Sequence, residues 1–135
     1  MSKITIVEVG EKKDYILDGK EKWTIGRLSR SSNPDIKLSL KTISRNHGLI
    51  RNIDGIWFYV DSNGKNGTVY KNKKIKPGLN GNVRPVMLND GDELIFGGSE
   101  KAIICSNTVW AMFSTKDSDK YDAKVQKVIK LTSNQ

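Results

Sequence analysis

The sequence predicts an all-β sandwich, because short β-branched runs are separated by turn residues and do not alternate with helical segments. The clearest element is a hairpin in which residues 48–53 and 56–60 flank Asp54-Gly55, a pair that supplies the positive φ angles of a two-residue turn. The same turn chemistry recurs at Asn63-Gly64, Asn66-Gly67 and Asp90-Gly91. Turn signals at roughly ten-residue spacing favour a sandwich of many short strands.

The other strands are predicted from short apolar runs along the chain. These runs are residues 4–9, 23–25, 93–96, 102–105 and 109–113, with a charged loop expected between the first two. The single cysteine, Cys105, falls in the fourth run, and we expect it to pack as a core residue. A chain of 135 residues suits one domain that buries its core without disulfides.

The composition changes after Ser114. A polar stretch comes first, and Tyr121, Val125, Val128 and Ile129 then recur at helical spacing. We therefore expect a domain over residues 1–114, followed over 115–135 by a polar linker and a short amphipathic tail that is helical or flexible. Two interpretations of the tail stay open. It is either a short helix that lies on the sandwich or frays at the terminus, or a segment that docks a partner.

The apolar runs are too short to cross a bilayer, and the first residues lack the apolar stretch of a signal peptide. These two observations predict a soluble, cytoplasmic protein with no membrane insertion.

The formal charge of +8 is concentrated in two acid-free segments. Residues 36–53 and 62–89 together carry +10, and the remainder of the chain carries −2. Long stretches of one sign on a folded domain suggest a surface that attracts anions. The anions to consider are nucleic acid, anionic lipid and phosphoprotein.

Three short motifs lie at the predicted strand ends or in a turn-rich loop. They are Gly26-Arg27, Ser44-Arg45-Asn46-His47 and Asn66-Gly67-Thr68. Loops at one end of a sandwich converge in space, so these motifs can form a single shallow site. A guanidinium and a hydroxyl donate hydrogen bonds to phosphate oxygens, and an asparagine amide pairs with the backbone of an extended peptide. This set of side chains suits a phosphate ester.

The ordered motifs resemble those of the forkhead-associated (FHA) family over residues 23–97, with flanking strands extending the likeness to about residues 3–113. The family pattern places Gly-Arg, then Ser-Arg-x-His, then Asn-Gly-Thr, and finally a Gly-Asp that Gly91-Asp92 matches here. The resemblance implies an eleven-stranded sandwich that binds phosphothreonine in partner proteins and needs no cofactor. Such a module recruits a phosphorylated protein, with a Ser/Thr kinase or its substrate as possible partners.

The resemblance also implies a role for each matched residue. Arg27 and Ser44 are expected to bind the phosphate, Asn66 to hold the peptide backbone, and Arg45 and Lys65 to contribute at the edge of the site. Residues expected to support the site structurally are Gly26, His47, Gly67 and Thr68.

The sequence departs from the family pattern at three places. Gly64 stands where the family often has serine, and residues 76–87 form a longer stretch that is expected to reshape the rim of the site. Thr42 occupies a position where some relatives have a basic residue that selects the third residue after the phosphothreonine. That selection rule therefore does not transfer to this chain.

Catalysis is disfavoured by the motifs. Ser44, His47 and Asp61 contain the residue types of a hydrolytic triad, but no Gly-x-Ser-x-Gly nucleophile elbow is present. One cysteine and one histidine offer no metal-ligand spacing, and no Walker-type phosphate loop appears.

Two binding alternatives remain open at the level of sequence. A pI near 9.6 is compatible with a nucleic-acid binder, but Tyr70 is the only aromatic residue in the segment 62–89, where stacking rings would be expected. A scaffold that uses the fold without phosphate is the other alternative. The oligomeric state is not predicted.

Overall fold

The computed structural model describes residues 1–62, 65–75, 84–98, 103–116 and 119–133, and these form a two-layered β-sandwich with one α-helix. The described strands are β1 (Lys3–Glu8), β2 (Glu11–Ile16), β3 (Lys22–Arg27), β4 (Ile36–Leu38), β5 (Gly48–Ile53), β6 (Ile56–Asp61), β7 (Thr68–Tyr70), β8 (Lys73–Lys74), β9 (Val86–Met87), β10 (Glu93–Phe96) and β11 (Val109–Ser114). Short 3₁₀ turns span Leu17–Gly19 and Asp119–Tyr121, and the second leads into α1 (Asp122–Thr132). The predicted fold class is confirmed.

The strands divide between two sheets. The six-stranded sheet has the order β2-β1-β11-β10-β7-β8, and the five-stranded sheet has the order β4-β3-β5-β6-β9. All pairings are antiparallel except that of β3 with β4. This order places β2 and β4 at the outer edges of their sheets.

The core lies between the two sheets and is built by the alternation of side chains along each strand. In β6, for example, Trp57 and Tyr59 are buried whereas Ile56 is exposed. Tyr59 and Phe96 approach each other from opposite sheets, with ring centroids 5.7 Å apart. The buried layer also includes Ile43 from the loop between β4 and β5, so this loop is anchored in the core.

Helix α1 covers the outer face of the six-stranded sheet. Val125 and Val128 pack with Val7, Trp110 and Met112 in a second apolar cluster. The helix that the spacing of apolar residues indicated is thus confirmed, and it lies on the sandwich. Within the described part of the chain, no helix has the length and apolar character needed to cross a lipid bilayer.

The predicted hairpin is confirmed in detail. β5 and β6 pair in the register Ile53↔Ile56, and Asp54 and Gly55 adopt φ angles of 53° and 84°. Both positive angles match the turn chemistry of an Asp-Gly pair.

The prediction of a charged loop between the first two predicted strands was wrong, because residues 11–16 form strand β2. Its side chains are mostly exposed, so it lacks the apolar alternation of a half-buried strand. It is an edge strand that is held by its backbone ladder to β1, in the register Lys3↔Ile16 through Glu8↔Glu11. Charged edge strands of this kind are typical where a sheet must not pair with other molecules.

The strand predicted at residues 102–105 was also wrong, since the described residues 103–105 are not in a strand. The Thr108 hydroxyl accepts from the Cys105 N–H at 2.9 Å and donates to its carbonyl at 3.0 Å, which closes a local turn. Cys105 is only half-buried, so its expected core position was wrong as well. The predicted turn at Asn63-Gly64 and the longer stretch at 76–83 lie outside the described residues.

Candidate functional site

Arg27 is the last residue of β3, and its side chain is fixed against the loop between β4 and β5. Its backbone N–H donates to the Ser44 carbonyl at 3.0 Å, and its Nε donates to the Ile43 carbonyl at 3.0 Å. The side chain is half-buried. Among the described residues, nothing occupies the two terminal guanidinium nitrogens, so their donors are available for an anion.

Ser44 lies in the same loop and joins it to the loop between β6 and β7. The Ser44 hydroxyl oxygen accepts a hydrogen bond from the Lys65 N–H at 2.9 Å. Because the hydroxyl acts as an acceptor here, its own proton remains free to be donated to another group. The predicted residues Arg27, Ser44 and Lys65 are therefore brought together.

His47 is completely buried and connects these two loops from below. Its Nδ1 accepts from the Ser44 N–H at 3.1 Å, which assigns the proton to Nε2, and Nε2 donates to the Gly67 carbonyl at 2.9 Å. The ring also meets Phe96 edge to face, with centroids 5.5 Å apart. Burial lowers the pKa of the imidazole below its usual value, so the neutral ring is favoured.

This geometry does not support a hydrolytic triad. Both nitrogens of His47 are engaged by backbone groups, so neither is placed to take a proton from the Ser44 hydroxyl. Asp61 instead accepts from the hydroxyls of Tyr59 and Thr68 at 3.1 and 2.9 Å.

Asn66 is held by a residue whose role the sequence did not reveal. The Asn66 side-chain amide donates to the Thr42 carbonyl at 2.8 Å, and the Thr42 hydroxyl donates to the Asn107 carbonyl at 2.9 Å. Thr42 thus links the β4–β5 loop both to the predicted site and to the loop before β11. A threonine in a loop gives no sequence signal for such a position, since its partners are distant in the chain.

The loops of the candidate site are shaped by three residues with structural contacts: Gly26, Gly67 and Thr68. A Cβ atom at Gly26 would overlap the Arg45 carbonyl, so only glycine lets the β4–β5 loop approach β3 this closely. Gly67 has a φ of 73°, which lets the chain turn after Asn66. Thr68 is buried, and its hydroxyl oxygen lies 2.8 Å from that of Tyr59 beside the Asp61 carboxylate.

The Arg45 side chain is more exposed than those of Arg27 and Ser44. Its side chain is exposed, and within the described chain no hydrogen bond or ion pair ties it to Arg27, Ser44 or Asn66. Only its backbone is fixed, because its carbonyl accepts from the Ser32 hydroxyl at 3.1 Å.

The sequence and the fold of this chain are similar to those of known proteins. The family model of the FHA domain matches residues 23–97. Full-length yeast Pml1p has a similar structure, with a TM-score of 0.65 and 26% identity over 84% of this chain and 81% of that one. No curated protein matches the chain in sequence.

Two further solved structures share the fold. The FhaA FHA domain, solved in complex with the intracellular domain of Rv3910, has a TM-score of 0.60 and 20% identity over 84% of this chain and 99% of that one. An FHA domain characterised for phosphothreonine-dependent interactions has a TM-score of 0.60 and 21% identity over 85% and 98% of the two chains. The matched family model, which spans more than half of the chain, shows that this protein belongs to the FHA domain family, whose members are protein-interaction modules.

Proposed function

We propose that this FHA domain binds phosphothreonine-containing segments of partner proteins at the end of the sandwich formed by the β4–β5 and β6–β7 loops. Arg27 and Ser44 bind the phosphate, Asn66 holds the peptide backbone, and Arg45 and Lys65 contribute at the edge. The observation that supports the proposal is that Arg27 and Lys65 both bond the loop that carries Ser44, and that His47 bonds the same loop from the core.

The donors at this surface suit a phosphate dianion. Arg27 offers its terminal guanidinium nitrogens, and Ser44 offers its hydroxyl proton. Charge-assisted hydrogen bonds contribute about 1.5–3 kcal/mol each, so a few of them are compatible with a micromolar dissociation constant, or about −8 kcal/mol.

Described residues of both loops are also anchored to the core. Ile43 is buried in the core, and His47 links the Ser44 N–H to the Gly67 carbonyl. Pre-ordered loops reduce the entropy lost on binding, so the available hydrogen bonds contribute more fully to affinity.

In this proposal the protein is an adaptor that recruits a phosphorylated partner, for which a Ser/Thr kinase or its substrate is a suitable candidate. The sequence favours a cytoplasmic setting. The likeness to Pml1p, described as a splicing factor, extends the search for partners to nuclear phosphoproteins.

An array of peptides in phosphothreonine, phosphoserine and unmodified forms tests this function. We expect binding of phosphothreonine peptides and none of unmodified copies. Duplex DNA is the competing ligand to include, at low and high salt. Equal binding of DNA and phosphopeptide, with a steep salt dependence for the DNA, would contradict the proposal and favour nucleic acid.

A further inference from the structure

A cleft of about 460 Å³ lies beside Arg27, at the edge of the sandwich that is formed by β2 and β4. It lies between the β1–β2 hairpin and strand β4, which are brought side by side by the stacking of the two sheets. Ile6 and Leu38 line it with apolar side chains that are almost fully buried. Its volume falls in the range of about 300–1,000 Å³ that is typical of ligand pockets.

Cationic side chains predominate around this cleft. Lys13, Arg27, Lys37 and Lys41 line it, against the two carboxylates of Glu8 and Glu11. In the described part of the chain, none of the three lysines forms an ion pair. With four cations and two carboxylates, the described lining of the cleft carries a net charge of +2.

The Glu8 carboxylate keeps its negative charge, but its oxygens are engaged by the start of the β4–β5 loop. It accepts from the Ser39 N–H at 2.9 Å, from the Ser39 hydroxyl at 3.0 Å and from the Leu40 N–H at 3.1 Å. These bonds fix the start of the β4–β5 loop, so the carboxylate is a structural part of the cleft wall.

The cleft and the proposed phosphate site share Arg27. This side chain lines the cleft, while its Nε bonds the Ile43 carbonyl next to Ser44. An extended peptide advances about 3.3 Å per residue and points successive side chains to opposite faces. A peptide whose phosphothreonine is bound by Arg27 can therefore place a neighbouring side chain in the cleft that Arg27 also lines.

We propose that this cleft binds an acidic stretch of the same phosphorylated partner, with apolar side chains directed to the floor and carboxylates to Lys13 and Lys37. The inference rests on the proposed function and names the class of peptide that the site selects. The sequence alone indicated a surface that attracts anions, and this proposal places part of that surface in the cleft, where Lys13 is contributed by the distant strand β2.

The experiment uses one phosphothreonine peptide with neutral flanks and a set in which a single aspartate is placed at each flanking position in turn. Isothermal titration compares the unmodified protein with the double variant Lys13→Ala/Lys37→Ala. The matched control is Lys127→Ala/Lys130→Ala, which removes the same charge from the exposed side of α1.

We expect aspartate on one side of the phosphothreonine to strengthen binding by about twofold to fivefold, since exposed ion pairs are individually weak. The double variant should lose this advantage yet bind the neutral peptide within about twofold of the unmodified protein. High salt should also reduce the advantage, because exposed charges are screened within about 8 Å at physiological ionic strength.

Other outcomes separate this inference from the proposed function. An aspartate advantage that is absent, or that persists in the Lys13/Lys37 variant as in the control, overturns the cleft assignment while phosphothreonine binding stands. Failure of every phosphothreonine peptide to bind overturns the proposed function and the cleft assignment together.

Discussion

The Nε2 atom of His47 lies 2.9 Å from the Gly67 carbonyl oxygen, and this hydrogen bond connects the two loops of the candidate site through the core. On the other side of the ring, Nδ1 accepts from the Ser44 N–H. A single buried side chain thus fixes both the serine that offers its hydroxyl and the turn that follows Asn66. Loss of the packing or the hydrogen bonds of this ring should therefore disturb both loops of the candidate site.

Replacement of His47 by alanine should reduce stability and phosphopeptide binding together. The variant leaves a cavity and removes two hydrogen bonds to backbone groups, so we expect a loss of about 2–4 kcal/mol in the free energy of unfolding. Urea unfolding and peptide titration measure the two effects. Asn46→Ala, at an exposed neighbouring position, is the control and should change stability by less than about 0.5 kcal/mol. A fully stable His47→Ala protein would contradict this role.

The stability of the protein should fall as the pH drops below about 6.5, where a histidine in the unfolded chain takes up its proton. Burial lowers the pKa of His47 in the folded state, so between the two pKa values the unfolded chain binds more protons. The contribution of the neutral His47 ring to the free energy of unfolding is complete above about pH 6.5. Below this pH it is lost at up to about 1.4 kcal/mol per pH unit.

His47 is the only histidine of the chain, so the effect can be assigned to it. Urea unfolding across this pH range provides the measurement, with His47→Gln as the control. The same slope near pH 6 in both proteins would show that another group causes it.

Gly26→Ala should disturb the candidate site by steric overlap. The new methyl group would meet the Arg45 carbonyl, so the β4–β5 loop must move away from β3. Overpacking of this kind costs about 1–3 kcal/mol, and the displaced Ser44 should weaken peptide binding. Gly19→Ala is the matched control, since nothing lies within 4 Å of a Cβ atom there. Unchanged binding by Gly26→Ala would argue against the close approach.

Val128→Ala should destabilise the protein without changing its affinity for a phosphopeptide. Val128 is fully buried between α1 and the six-stranded sheet, on the outer face rather than at the loop end. The lost contacts correspond to about 1–3 kcal/mol in the free energy of unfolding. Lys127→Ala, on the exposed side of the helix, should leave stability nearly unchanged. Equal stability of the two variants would show that the helix does not support the sandwich.

The sequence predicted those features that are decided locally. Asp54-Gly55 determines a hairpin by its own backbone preferences, and the helical spacing of Val125 and Val128 determines which face of α1 is apolar. The motif residues Arg27, Ser44, Lys65 and Asn66 were predicted through the family resemblance, and the structure brings them to one end of the sandwich. Their part in binding remains a proposal.

The features that the sequence did not reveal depend on distant contacts. β2 has a charged sequence and forms a strand because β1 pairs with it. Thr42 contacts Asn66 and Asn107, which are 24 and 65 residues away in the chain. The cleft beside Arg27 likewise combines side chains from both sheets, so no local pattern could have indicated it.

The most direct test of the central claim is isothermal titration of one phosphothreonine peptide into the unmodified protein, Arg27→Ala and Arg51→Ala. Arg51 is exposed on β5, and its loss removes the same charge away from the candidate site. We expect Arg27→Ala to remain folded, with a modest fall in thermal midpoint from the lost bond to the Ile43 carbonyl, and to lose at least tenfold in affinity, while Arg51→Ala binds as the unmodified protein does. Unchanged affinity in a folded Arg27→Ala protein would contradict the assignment of the phosphate site.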